Sequence, residues 1–450
     1  MIILGAIGSI PLVVLTPPFQ VPDEVQHFYR AYQLSDFRFR AEVQNGVSGG
    51  TLPVSLPELV KSVVYTRDGV FYSVTPAPLA KTLKLASIPL EKSTRRFIAF
   101  PGSAFYSPLP YLPQVVGISV GRLFGLGPLY LVFLGRLFNC LTALAMIGFA
   151  VYLIPIAGEL VILIGLLPMS LFLYASLSPD AAVIACALLF FALSLAANTS
   201  GSWKTWELVM AAALGAVLCS VKPVYAPMLL AGVVPGLIVR GRAASVIRSH
   251  VILVAVAMGA AAGWLLFVKP AMTSPLGGGH PSLQMSFILH NPAFFMRVLI
   301  HTIGDWGINA LFYYFSTVGM FGWLSVLLRP VLAYFLPLVN FVVIWSLGPR
   351  EGAKRSVLRA LWYLALAFAS VVLAMTAMYL MSAHVGQNEI TGLQGRYFIP
   401  ILILAGMAAV ELSPHRRPSA RWSSVAITAA IIVLQIVATD RTIIHAFQVF

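Results

Sequence analysis

Apolar runs of roughly 17–25 residues, the length that crosses a bilayer as a helix, recur along the chain. Polar turns and prolines separate these runs, and several are short for a full span. They cover about 1–16, 128–153, 157–177, 180–198, 206–221, 224–239, 250–268, 329–347, 359–381, 396–412 and 422–440. The pattern predicts an all-α integral membrane protein with about eleven transmembrane helices, folded as one polytopic domain over 1–450.

Two longer segments, 17–127 and 269–328, interrupt the series of spans. The stretch SAFYSPLPYLPQVVGISVGRLFGLG, at 103–127, is apolar enough to touch the membrane. Counting it as a span would invert every later loop, so we predict a helix that lies at the interface. The aromatic-rich stretch 283–328 predicts a second interfacial helix.

Composition agrees with a membrane location. The 450 residues are 59% hydrophobic and 10% charged, whereas soluble domains carry about 25% charged residues. The net charge of +14 does not indicate nucleic acid as a partner, because the basic residues lie in short clusters between apolar runs. The three cysteines lie inside apolar runs, so neither a disulfide nor a zinc framework is predicted.

The basic clusters predict the orientation in the membrane. With a cytoplasmic N-terminus, all four clusters fall on one side, as the positive-inside rule requires. They comprise Lys204; Arg240, Arg242 and Arg248; Arg350, Lys354, Arg355 and Arg359; and Arg416, Arg417 and Arg421. We therefore place 17–127 and 269–328 outside, and the protein in the bacterial inner (cytoplasmic) membrane.

An acidic motif follows the first apolar run directly, in VPDEVQHFYRAYQL. Asp23, His27 and Arg30 are spaced i, i+4 and i+7, so a helix would present them on one face. A carboxylate where a helix leaves the membrane can remove a proton from an acceptor hydroxyl. Asp23, with Glu24 beside it, is therefore the candidate catalytic group, and His27 and Arg30 are candidate substrate-binding residues.

The same motif also fits a plain helix start or a metal site. Pro22 suits the first position of a helix, and acidic residues in the first turn suit the helix dipole. A divalent cation such as Mg²⁺ or Mn²⁺ can instead bind Asp23 and Glu24, with or without His27. The residues alone leave both possibilities open.

A second set of charges marks the same predicted side of the membrane. Asp180, in SLSPDAAVIA, stands at the start of a span. It is either the N-cap of that helix or a second acidic residue lining the same cavity as Asp23. Arg136, Lys222 and Arg396 lie within or beside spans, away from the basic loops. Each alone is explained by snorkelling to the interface. Together they predict an anion at the outer boundary, for which a lipid phosphate is the natural candidate.

Several motifs carry a resemblance to a known family. TPPFQVPDEVQHFYRAYQL, SPLPYLPQ, LGRLFN, SPDAA, KPVY and QGRYFIP resemble the multi-pass bacterial family catalogued as domain of unknown function 2142, over nearly the whole chain. That family in turn resembles the GT-C membrane glycosyltransferases, through its layout.

The GT-C resemblance implies a fold and a chemistry. It implies interfacial helices in a long first outer loop, and sugar donors linked to polyprenyl phosphate or diphosphate. Asp23 would be the catalytic carboxylate, with Glu24 beside it, Asp180 the acid at the outer start of a later helix, and Arg396 a phosphate-contacting base. We add Tyr397, next to Arg396, as a candidate substrate-binding residue. Ser107 stands where related enzymes often have a histidine, which removes support for a metal or acid role there.

These observations predict a membrane glycosyltransferase that acts on the extracytoplasmic side. The predicted partners are a polyprenyl-phosphate-linked sugar donor, a glycan, lipid or protein acceptor, and the lipid bilayer. A transporter or flippase of lipid-linked sugars is the main alternative, since it would use the same phosphate-binding cations without chemistry. A scaffold subunit for envelope assembly is a third, in which no acidic residue is indispensable.

Overall fold

The computed structural model describes residues 1–67, 70–73, 79–154, 156–200, 202–238, 243–273, 280–304, 308–347, 356–414 and 421–447. Most of the basic clusters used to predict orientation lie outside these ranges, namely Arg240, Arg242, Arg350, Lys354, Arg355, Arg416 and Arg417.

The described chain is mostly helical, as predicted. The α-helices are α1 (Ile2–Leu15), α2 (Glu24–Ser35), α3 (Ser55–Lys61), α4 (Leu79–Lys84), α5 (Leu112–Leu123), α6 (Pro128–Leu153), α7 (Gly158–Gly165), α8 (Pro168–Tyr174), α9 (Asp180–Ser200), α10 (Thr205–Val221), α11 (Val233–Leu237), α12 (Ala243–Val268), α13 (Pro281–His290), α14 (Pro292–Gly304), α15 (Ile308–Val318), α16 (Pro330–Leu347), α17 (Val357–Ser382), α18 (Leu402–Leu412) and α19 (Arg421–Phe447).

Small sheets, which the hydrophobic pattern did not predict, accompany the helices. The strands are β1 (Glu42–Gln44), β2 (Val47–Pro53), β3 (Val64–Arg67), β4 (Val70–Ser73), β5 (Arg95–Ala99), β6 (Met320–Phe321) and β7 (Val326–Leu327). All pairings are antiparallel: β2 lies between β1 and β5, β3 pairs with β4, and β6 pairs with β7. Short 3₁₀ helices cover Leu85–Ser87, Leu109–Tyr111, Pro223–Leu230, Lys269–Ala271 and Gly395–Ile401.

Six helical segments in the described ranges are long and apolar enough to cross a membrane. They are Pro128–Leu153, Asp180–Asn198, Ala243–Ala271, Val357–Ser382, Gly395–Leu412 and Thr428–Phe447. Shorter apolar helices cover Ile2–Leu15, Thr205–Val221, Pro223–Leu237, Pro292–Gly304 and Val331–Trp345. The chain is therefore a multi-pass membrane protein, while the count of eleven spans stays a prediction.

Two predicted spans are broken helices. In place of one helix over 157–177, α7 ends at Gly165 and α8 begins at Pro168. The ring of Pro168 removes a backbone donor and favours a new first turn over a continuous helix. In the predicted span 224–239, whose last residue lies outside the described ranges, the 3₁₀ helix Pro223–Leu230 contains Pro227 and is followed by the five-residue α11.

The predicted interfacial helices are shorter than expected. Within 103–127, only Leu112–Leu123 is α-helical. Pro108 and Pro110 interrupt the stretch before it, where the chain forms a short 3₁₀ helix. The stretch 283–328 contains parts of three helices, α13 to α15, followed by the β6–β7 hairpin, with 305–307 outside the described residues. Their depth relative to the membrane stays a prediction.

Side-chain hydrogen bonds fasten the two segments that we predict to lie outside, 17–127 and 269–328, to the helix bundle. Ser48 Oγ in β2 donates to the carbonyl of Ala271, in the 3₁₀ turn that follows α12. The indole N–H of Trp264 donates to the carbonyl of Phe105 over 2.8 Å, and that of Trp323 donates to Phe19 over 2.8 Å. The bond from Trp323 places the β6–β7 hairpin against the turn between α1 and α2.

Candidate functional site

Asp23 stands in a left-handed backbone conformation between the first two helices. Its φ is 64° and its ψ is 2°, and α2 begins one residue later, at Glu24. A non-glycine residue in this region is uncommon and costs about 1–2 kcal/mol. The Asp23 carboxylate does not cap the helix, so a plain helix start does not account for its position. Its side chain is instead 53% exposed and points to Arg396.

Arg396 joins the two acidic residues that the sequence placed at outer helix starts. Its Nη2 donates to Asp23 Oδ2 over 2.9 Å, and its Nη1 lies 3.6 Å from Asp180 Oδ2. The Arg396 side chain is only 2% exposed, whereas Asp23 faces solvent. The structure thus brings Asp23 and Asp180 to one guanidinium, and Asp23 covers it on the solvent side.

Lys222 and Tyr397 complete this charged cluster. Lys222 Nζ donates to Asp180 Oδ1 and lies 4.3 Å from the centre of the Tyr397 ring. The Arg396 guanidinium lies 5.4 Å from the same ring. We call Asp23, Asp180, Lys222, Arg396 and Tyr397 the outer charge cluster. Its two carboxylates balance two cations, which lowers the cost of burying them.

Glu24 and Arg136 form a separate, fully buried pair. Arg136 Nε donates to Glu24 Oε1 over 2.8 Å and its Nη2 donates to Oε2 over 2.6 Å, with neither side chain exposed. The same guanidinium donates to the carbonyls of Val13, Thr16 and Pro17. The backbone N–H groups of Phe19 and Leu177 donate to the Glu24 carboxylate. This pair fixes the turn that presents Asp23.

Arg30 is also bound within the protein. Its guanidinium donates to Gln33 Oε1 over 2.5 Å, to the Phe39 carbonyl over 2.7 Å and to the Tyr106 carbonyl over 3.0 Å. Burial lowers the pKa of Arg30 to about 10, which leaves it cationic at neutral pH. These contacts fasten α2 to the chain around Phe39 and Tyr106.

His27 lies against two tyrosines that the sequence analysis did not select. Its Nδ1 is 2.7 Å from the Tyr111 hydroxyl oxygen, and its ring stacks on Tyr106 at 6.0 Å and 14°. Burial lowers the pKa of His27 to about 4, against the opposing fields of Asp23 and Asp180. The imidazole is therefore neutral at pH 7. The only sequence signal for these tyrosines is their place in FYSPLPY, just before the second span.

The pairing of Glu24 does not fit a divalent cation held by Asp23 and Glu24. Both Glu24 oxygens already accept hydrogen bonds from Arg136 and from backbone N–H groups. Within the described ranges, no group of three or more His, Cys, Asp or Glu side chains is arranged to hold a metal ion.

The helices and the cluster at their ends define a multi-pass membrane protein with a charged site beside its first outer segment. The chain belongs to the family described as predicted membrane protein (DUF2142), whose profile matches residues 7–405. This confirms the resemblance to that family. No curated protein and no solved structure matches the chain.

Proposed function

We propose that this protein is a membrane glycosyltransferase, which moves a sugar from a polyprenyl-phosphate or polyprenyl-diphosphate donor to an acceptor hydroxyl on the extracytoplasmic side. The observation that carries the proposal is the ion pair between half-exposed Asp23 and buried Arg396. It combines an accessible carboxylate with a cation that has little access to water. In such a pair, Asp23 can act as the base and Arg396 can bind the donor phosphate, close to each other.

The proposed reaction is a direct displacement. The Asp23 carboxylate takes the proton of the acceptor hydroxyl, whose oxygen attacks the anomeric carbon of the sugar. The bond between that carbon and the phosphate oxygen breaks, and its electron pair leaves with the lipid phosphate. Arg396 and Lys222 stabilise the charge that develops there. The products are the glycosylated acceptor, the lipid phosphate and a proton on Asp23.

Donor binding and the position of the base are coupled in this arrangement. Asp23 holds the Arg396 guanidinium through one hydrogen bond. A donor phosphate that binds Arg396 competes with Asp23 for the same guanidinium. The carboxylate that it displaces is then free to accept a hydrogen bond from the acceptor hydroxyl.

The remaining predicted residues take supporting roles. Glu24 and Arg136 bind each other, which supports a role for both in holding the turn. A catalytic role for Glu24 beside Asp23 and a substrate-binding role for Arg136 stay predictions. Arg30 braces the outer segment. Tyr397 offers an aromatic face next to Lys222 and Arg396. His27, stacked on Tyr106, is proposed as a neutral hydrogen-bonding residue.

A flippase for lipid-linked sugars is the second candidate. The interruption between α7 and α8, and the 3₁₀ helices over Pro223–Leu230 and Gly395–Ile401, favour it. Broken helices of this kind line the substrate sites of many transporters.

One reconstitution experiment tests both candidates. The purified protein is placed in vesicles that contain a panel of undecaprenyl-phosphate hexoses, with glycan and lipid acceptors outside. Release of undecaprenyl phosphate reports transfer, and access of the sugar to an impermeant periodate reagent reports flipping. A glycosyltransferase releases the lipid phosphate only when an acceptor is present. Flipping without release would replace this proposal with the flippase.

A further inference from the structure

We propose that the protein binds the headgroup of an anionic phospholipid in a cleft at the outer end of α12, separate from the outer charge cluster. The cleft has a volume of about 610 Å³. The chain between α2 and β1 forms one wall, and the turn after α12 forms the other. Its lining residues are Arg38, Phe39, Arg40, Ala41, Glu42, Val43, Pro270 and Ala271.

The charge of the cleft favours an anion. Arg38 lies 3.0 Å from Glu42, whose other oxygen accepts a hydrogen bond from Thr51. Arg40 is exposed, and in the part of the chain that the structure describes no carboxylate lies within ion-pair distance of it. Its guanidinium rests over the Phe267 ring at 5.8 Å. One of the two arginines is thus balanced and the other is free to bind a phosphate.

The apolar surroundings of the cleft distinguish a lipid from a soluble anion. α12 belongs to one of the segments that can cross the membrane, Ala243–Ala271, and the cleft lies at its end. Leu266 is 71% exposed, and Phe267 and Phe39 are each 46% exposed. An apolar face that continues a membrane-crossing helix is covered by acyl chains, since water would not solvate it. Lys269, which is also exposed, comes directly after α12, at the level where we propose that the headgroup lies.

The size and chemistry of the cleft agree with one headgroup. An arginine presents two parallel N–H groups to phosphate oxygens, and a ring beneath it holds the guanidinium flat. The acyl chains then lie along Leu266 and its neighbours on α12. The lipid would tie the first outer segment to α12, beside the bond from Ser48 to Ala271.

The test uses the full-length protein in a zwitterionic detergent, titrated with phosphatidylglycerol and read by native mass spectrometry. The variant Arg38→Gln/Arg40→Gln removes both cleft cations. The matched control Lys61→Gln/Arg96→Gln removes two exposed cations from the same outer segment. A basic residue near anionic lipid contributes about fivefold in affinity. Because Glu42 balances Arg38, we expect the cleft variant to bind at least about fivefold more weakly, through the loss of Arg40. The control should bind as the unchanged protein does.

Four outcomes would overturn the proposal. Equal loss in both variants would mean attraction by overall charge alone. Unchanged binding in the cleft variant would place the lipid elsewhere. Displacement of phosphatidylglycerol by inorganic phosphate, or equal binding of phosphatidylcholine, would identify an ion site or an unselective apolar surface. Sugar transfer is not a readout here, so failure of this inference is separate from failure of the proposed function.

Discussion

Arg396 Nη2 donates to Asp23 Oδ2 over 2.9 Å, although the two residues are 373 positions apart in the chain. The bond joins the turn after α1 to the 3₁₀ start of the span Gly395–Leu412. Asp23 has a left-handed backbone conformation, and the Arg396 side chain to which it is bound is buried. Backbone strain of this kind occurs where surrounding structure fixes it, and often at functional sites.

Asp23→Asn tests the loss of the proposed base while the shape of the site is kept. Asparagine keeps the size of the side chain and much of its hydrogen bonding, but it cannot take the acceptor proton. If the proposed reaction is correct, transfer falls about 10²–10⁴-fold while donor binding survives. The release assay measures the first quantity, and retention of labelled donor lipid measures the second. Glu58→Gln, at an exposed acid of the same outer segment, is the matched control. Full transfer by Asp23→Asn would exclude Asp23 as the base.

Arg396→Lys tests the phosphate contact with the charge retained. Lysine offers a point charge in place of the planar fork that reaches both carboxylates and the donor phosphate. We expect weaker donor binding together with slower transfer, because the leaving phosphate loses a directed partner. Comparison of kcat with KM for the donor lipid measures the two effects. A change in KM alone would confine Arg396 to donor binding and remove it from the chemical step.

Glu24→Gln probes the buried pair below the site. Removal of the carboxylate charge leaves the Arg136 guanidinium buried without a counter-ion, which costs about 3–5 kcal/mol. Thermal unfolding in detergent should show a large fall in midpoint. Glu42→Gln removes the partner of partly exposed Arg38 and should cost no more than about 1 kcal/mol. Similar midpoints for the two variants would mean that Glu24 does not hold the turn.

The sequence predicted the charged side chains of the site better than their partners. Asp23, Asp180, Lys222 and Arg396 were selectable because ionised groups at apolar boundaries are rare and costly. The sequence did not predict that Asp23 would be exposed and paired with Arg396 while Glu24 would be buried and paired with Arg136. Adjacent residues at a helix start differ only through backbone conformation, and the left-handed φ of Asp23 turns its carboxylate outward while Glu24 points inward.

The hydrophobic pattern had a similar limit for the fold. It located the long spans well, because about 20 apolar residues in sequence are a strong local signal. It merged α7 and α8 into one span, since apolar content does not show whether Pro168 breaks a helix or begins a new one. It missed the sheet of β1, β2 and β5. The pairing of β2 with β5 joins residues about 50 positions apart, such as Gly49 and Ala99, which no local pattern shows.

The pKa of His27 predicts an acid-sensitive fold. Its pKa is about 4 in the folded protein, against an ordinary value of 6.5, because burial penalises the imidazolium. A lowered pKa means that the folded state binds fewer protons than the unfolded state in this window. His27 therefore contributes stability that is complete above pH 6.5 and is lost as pH falls to about 4. The total is on the order of 3 kcal/mol.

Unfolding midpoints measured in detergent between about pH 7.5 and pH 4 test this expectation. His27→Gln should flatten the part of the pH dependence that lies between pH 6.5 and 4. His290→Gln, at an exposed histidine, should leave the dependence unchanged. The charged groups around His27 are Asp23, Asp180, Lys222 and Arg396, so Asp23→Asn should shift the window without abolishing it. An unaltered profile in His27→Gln would assign the acid sensitivity to different groups.

The orientation in the membrane decides whether the outer charge cluster faces the extracytoplasmic side. Asn45, in the exposed turn between β1 and β2, and Lys204, before α10, are both accessible positions for a cysteine probe. The three native cysteines are buried, so background labelling should be low. The positive-inside rule predicts that an impermeant maleimide labels Asn45→Cys in intact spheroplasts. Lys204→Cys should react only after the membrane is permeabilised. Because Asn45 belongs to the same outer segment as Asp23, the opposite pattern would place Asp23 and Arg396 in the cytoplasm, where an extracytoplasmic transfer reaction has no access to them.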